Sequence, residues 1–287
     1  MRRTTTALAA VALAAALLPV AVTSAASATA GPGTAAAATR PAGAASAAEA
    51  PVRRAPDAAA PLGATTSRSA RASVAPHVPG AARYDGTLSS SVRQVIVVSA
   101  ASWRSRTATL SLYNRVGSRW VRVATYPARL GYGGLVVGTR RVQDTGTTPA
   151  GSYAITEAFG RLTNPGTSLP YFHVTNDYWW VEDRNSLYYN TMRLGHLGGF
   201  LRRTTGFNAS EQVATMGAQY DYAAVIDFNR PHPVVGRGAG IFLHAYGSGS
   251  TAGCVSIPGA AMRAVLQGLH RWAEPHIIIG PGSWLAA

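Results

Sequence analysis

The sequence predicts a mainly β fold, a sandwich or barrel carrying one or two short helices, and three observations lead there. Short apolar or alternating segments recur beyond residue 90, separated by Gly, Pro and Asn turns. Of the 24 aromatic side chains only Tyr84 lies before residue 91, so the core-forming groups belong to the last 197 residues. That length is enough for one well-buried domain. A single segment carries a long apolar stripe at helical spacing.

Taken in order, Gln94–Ser99 is a short apolar run and Thr107–Tyr113 alternates at period two. The segment 114–118 reads as a hairpin connection, with Trp120–Ala124 the returning strand. Gly151–Ile155, Tyr171–Thr175, Tyr222–Asp227 and Ile241–His244 are further strands. A short helix is expected over Ala209–Tyr220. A longer one starts with Pro258 as its first residue and carries Met262, Val265, Leu266, Leu269 and Trp272 on one face. Pro275 stops it, and His276–Gly280 reads as a last buried strand. Short strands with frequent turns favour a sandwich or barrel over a doubly wound sheet.

Residues 1–30 read as a secretory signal peptide: Arg2 and Arg3, an apolar stretch over 7–22, then small residues in an A-x-A pattern. The stretch is short for a membrane span and Pro19 interrupts it, so contact with the membrane is expected only during export. Residues 31–90 are rich in Ala, Pro, Ser, Thr and Gly and poor in large apolar groups, the composition of a disordered tether. Residues 91–287 form the folded domain. The chain has no lysine, and its 26 basic residues are all arginine, against 12 Asp plus Glu. For an exported protein this balance points away from nucleic acid and toward an anionic partner such as the bacterial wall.

The one cysteine, Cys254, follows His244 by ten residues across a loop containing Gly247, Gly249 and Gly253. An exported protein usually pairs its cysteines or lacks them, so an unpaired thiol beside a histidine is a candidate nucleophile. The histidine can take the thiol proton and return it to a leaving amine. A Cys254 activated in this way titrates below the free-thiol range. The backbone N–H groups near Gly253 and Cys254 are candidate oxyanion donors. Spacing alone leaves a second reading open, in which Cys254 is a small buried hydrophobe.

The segment His244 … Thr251-Ala-Gly253-Cys254 resembles the signature of the L,D-transpeptidase catalytic domain family (YkuD-like), in which a histidine precedes a Ser/Thr-x-Gly-Cys motif. Upstream, Thr148-Pro149-Ala-Gly151 is similar to the family's Thr-Pro-x-Gly segment. Trp180–Asn190 and Tyr220–Asn229 resemble stretches found in secreted actinobacterial members, and the likeness spans about residues 93–280. It implies a β-sandwich of mixed sheets and an exported peptidoglycan enzyme without a cofactor. Cys254 would attack the amide between the third and fourth residues of a donor stem peptide, releasing D-alanine, and an acceptor amine would resolve the thioester. His244 would be general base and then acid, held by a backbone carbonyl. Thr251 and Gly253 would shape the loop, and Tyr246 would contact substrate.

Ser256 stands where many members carry an arginine. It enters the substrate-contact set itself, while Arg237, Arg193 and Arg263 are the arginines expected to replace the missing one. Two alternatives share the fold: an L,D-carboxypeptidase or endopeptidase with water as acceptor, and a non-catalytic wall-binding module. His173 reads as structural, and His196 and His232 as surface groups. Tyr178-Trp179-Trp180 reads as packing, and no metal-ligand spacing is present.

Overall fold

The computed structural model describes residues 74–75, 77–84 and 86–287. The expected signal peptide and most of the expected tether lie outside the described residues. Fourteen strands are described: β1 (Val74–Ala75), β2 (Gln94–Ala100), β3 (Thr107–Val116), β4 (Arg119–Arg129), β5 (Leu135–Val137), β6 (Thr148–Gly160), β7 (Tyr171–His173), β8 (Tyr178–Trp180), β9 (Met192–Leu194), β10 (Glu211–Gln212), β11 (Ala223–Ile226), β12 (Phe242–Ala245), β13 (Val255–Ile257) and β14 (His276–Pro281). Two helices accompany them, α1 (Gly259–Gly268) and α2 (Gly282–Leu285).

The main sheet closes on itself in the order β4-β13-β12-β11-β6-β14-β2-β3, with β3 returning to β4. This corrects the sandwich: one eight-stranded, barrel-like sheet encloses the core, and a separate sheet β10-β8-β9 lies apart from it. The pairs β12–β13 and β14–β2 are parallel. The tight hairpin between β3 and β4 uses Gly117 at positive φ, which a two-residue turn favours. Closure depends on one long-range register pair, Ser256 of β13 opposite Arg129 of β4.

Alternation sorts the side chains into three clusters. Ile96, Leu110, Ile155, Ile226, Leu243, Val255 and Ile279 share the face common to the closed sheet, and α1 packs Met262, Val265 and Leu266 against them. The opposite face of β6, β11 and β12 carries Phe159, Val225 and Phe242, covered by Trp180, Val213 and Tyr220. A third cluster joins Val95, Val97, Trp120 and Ile278 to Val78 and Ala81.

The last cluster draws residues before 91 into the fold. β1 pairs with β4, and Val78 and Ala81 are buried in one cluster with Trp120 and with Val95 and Val97 of β2, where small apolar residues suffice. Pro258 caps α1 instead of opening it. The helix stops at Gly268, and Trp272 leaves the apolar stripe, 73% exposed and stacked on His270. The helix expected over Ala209–Tyr220 is a short strand and two 3-10 turns; Gly217 at φ +73° breaks the helical path.

Candidate active site

Strand β12 reads Phe242-Leu-His-Ala. Leu243 and Ala245 enter the main core, so Phe242 and His244 project from the opposite face. The parallel neighbour β13 begins just after Cys254 and sets Ser256 beside His244. Cys254 and His244 thereby line one cavity of about 170 Å³, together with Glu211, Gln219, Tyr220 and Thr251.

The loop before Cys254 is held at both ends. Thr251 Oγ1 donates to the Cys254 carbonyl at 2.6 Å and accepts from Gly253 N–H at 3.2 Å. The Thr251 backbone pairs with Leu130 and Tyr132, and Thr148 Oγ1 accepts from Gly131 N–H at 2.8 Å. The Thr-Pro-x-Gly segment and the Thr-x-Gly-Cys segment thus meet through residues 130–132. Gly253 has φ +145°, and a Cβ there would stand 2.8 Å from the Arg141 guanidinium. Only glycine fits that path. The Gly253 amide is occupied by Thr251. Among the described residues the Cys254 amide has no acceptor, so of the two amides expected as oxyanion donors it is the one left free.

His244 is 4% exposed; its Nδ1 faces the Ala245 carbonyl at 2.7 Å and the edge of Tyr220 packs on its ring. Burial pulls its pKa down to about 4, against the backbone carbonyls of Ala245 and Gln219. Cys254 Sγ does not point at it. The thiol donates to the Gly240 carbonyl and accepts from Phe242 N–H, both at 3.3 Å. Burial pushes the thiol pKa up, and the Glu211 and Glu182 carboxyls add to that. Burial thus shifts the thiol up and the imidazole down, the opposite direction to the activated thiol expected from the sequence.

A second cavity of about 180 Å³ opens on the other side of Cys254, lined by Arg141, Gln143, Glu182 and Glu211. Arg141 is 5% exposed, its Nε bonded to Thr147 O at 2.8 Å and its Nη1 to Arg237 O at 3.2 Å. Burial lowers its pKa, while Cys254 and Glu182 favour its charge. Glu182 is raised by burial and by Glu211; Glu211 is raised by burial to about 7, although a Tyr220 hydrogen bond opposes this. These three residues were missed by the sequence reading.

The expected substrate arginines lie elsewhere. Arg237 lines a different cavity with Tyr84 and Trp284 and offers only its carbonyl to Arg141. Arg193 stacks on Tyr188 beside Leu197, and Arg263 is an exposed residue of α1. Ser256 is fully buried, and among the described residues its hydroxyl has no hydrogen-bond partner, so it is closed off from a substrate. Tyr246 is tied to Pro127 O at 2.9 Å under the Arg129 guanidinium and lines neither cavity beside Cys254. His173 is exposed and bonded to Arg161 O, His196 is exposed and paired with Asp177, and His232 is exposed. Trp179 and Trp180 are buried in packing.

Residues 93–274 match the family model of the L,D-transpeptidase catalytic domain, YkuD. No curated protein matches the chain. Among solved structures a similar one is Bd1075 of Bdellovibrio bacteriovorus, at 16% identity and a TM-score of 0.32. The match covers 66% of this chain and 48% of that one, so it spans about half the length of its relative. The family match takes in both the Thr148–Gly151 segment and the His244–Cys254 loop and runs over more than half of the sequence, so the chain belongs to the L,D-transpeptidase catalytic domain family, whose members are cysteine-dependent transpeptidases.

Proposed function

We propose that the protein is a secreted peptidoglycan L,D-transpeptidase, acting in the cell wall and joining stem peptides through a thioester on Cys254. One observation carries this reading: His244 on β12 and Cys254, at the end of a loop fixed by the motif threonine Thr251, line the same cavity. The thiol turns from Gly240 toward the imidazole. Because both begin neutral, the proton passes to His244 as sulfur attacks the donor amide, and no preformed thiolate is required. The Cys254 amide faces the developing oxyanion. His244 then returns the proton to the departing D-alanine, and the acceptor amine of a neighbouring stem displaces the sulfur.

Incubation with purified stem peptides tests the reading. Crosslinked dimers from wild type, absent with Cys254→Ala, are the expected products. Shortened stems alone make the protein a hydrolase of the same fold, and unchanged peptides make it a wall-binding module.

A further inference from the structure

The two cavities beside Cys254 share Ala252, Glu211 and the thiol itself. Glu211 reaches this position because β10 pairs with β8, setting it opposite Trp180 and near Glu182. Its Oε2 accepts from Tyr220 Oη at 2.7 Å, and Tyr220 packs on His244. Glu182 brings the second carboxyl. Its Oε1 lies against Gly240, whose carbonyl receives the Cys254 thiol, and among the described residues no donor bonds this carboxyl.

Arg141 is the one cation among the residues that line this cavity, and Asp144 at its rim is already paired with Arg184. The interior therefore sets one guanidinium against two carboxyls. A ligand ammonium is a group that both carboxyls can accept hydrogen bonds from, and one of them can take its proton.

An ammonium is also what the proposed reaction must bring to Cys254 and deprotonate. We infer that Glu211 is the base that takes a proton from the incoming acceptor amine, with Glu182 and Arg141 positioning that amine beside the thioester. This rests on the reading of function above and extends it to the second half of the reaction. The step balances. The ammonium gives one proton to the Glu211 carboxylate, and the free amine forms a C–N bond as the C–S bond breaks. The second nitrogen proton passes to the departing Cys254 sulfur, leaving a neutral amide, thiol and carboxylic acid.

Glu211 suits this task at neutral pH, since burial brings it to about 7, and His244, held near 4, is a far weaker base. The charged or titratable groups facing Glu211 are Tyr220, Glu182, Cys254 and His244, with Arg141 acting through Glu182.

The test loads wild type with a tetrapeptide stem donor and measures how the thioester divides between water and a stem-tripeptide amine as pH is varied. In wild type the ratio of crosslinked to hydrolysed product should rise with pH and level off above about 7. In Glu211→Gln the ratio should fall at least about tenfold at neutral pH and keep climbing with the free-amine fraction. Glu211→Asp should recover part of it. A merely structural role would lower both products together and leave the ratio unchanged, which overturns the inference. A wild-type ratio that never levels off overturns it without any variant. If wild type forms no thioester, the functional reading itself falls, and this inference with it. A thioester with an unaltered ratio removes this inference alone.

Discussion

Cys254 and His244 face one cavity yet share no hydrogen bond: the thiol is bonded to Gly240 O and Phe242 N, while the imidazole is bonded to Ala245 O. The pair is assembled but not engaged. On the proposed mechanism, substrate would draw the sulfur away from the buried Gly240 carbonyl before it attacks.

Alkylation of Cys254 follows from this arrangement. Burial and two nearby carboxyls raise the thiol, so iodoacetamide should react slowly at neutral pH, with the rate climbing only above the free-thiol range near 8.5. Glu211→Gln should shift that titration downward. A wild-type titration below 8.5 would contradict the buried, neutral thiol.

Stability against pH has two opposing contributions. His244 is folded with a pKa of about 4, so the unfolded chain binds its proton more readily, and stability is lost as pH falls through the window from about 6.5 to 4. Glu211, raised to about 7, acts in reverse: its neutral form fits the fold, and stability is lost as pH rises from about 4.5 to 7. Each is worth about 3 kcal/mol at most. Wild type should be nearly flat between about 4.5 and 6.5 as far as these groups are concerned, and Glu211→Gln should expose the acid sensitivity of His244. Denaturant unfolding at several pH values checks this; parallel curves for the two proteins would contradict it.

Ser256 gives a simpler case. Set between His244 and Arg129, its buried hydroxyl has no partner among the described residues, a cost of about 1–3 kcal/mol. Ser256→Ala should unfold at equal or higher denaturant concentration than wild type. Ser256→Arg, which restores the residue many relatives carry, should prevent folding because no space is open there. A soluble, active Ser256→Arg protein would show the packing to be wrong.

The histidine, threonine and cysteine of the site were legible because they lie within eleven residues on one strand and its loop. Individual strands were legible through period-two patterning. Barrel closure was not, since it depends on a single pairing between residues 129 and 256 that no local pattern records. Arg141 was hidden by an excess of arginine, although it lies only seven residues before Thr148 of the upstream motif. Glu182 and Glu211 reach Cys254 through the small sheet, whose strands of two or three residues carry too little periodicity to read. Their scarcity was the one available signal: the whole chain has 12 acidic residues.

The most direct test of the account is intact mass after exposure to a carbapenem, the β-lactam class expected to acylate this family, with wild type beside Cys254→Ala and His244→Ala. Wild type should gain one covalent adduct, His244→Ala should gain it much more slowly, and Cys254→Ala should gain none. An unmodified wild type, or equal modification of Cys254→Ala, would contradict Cys254 as the acyl carrier.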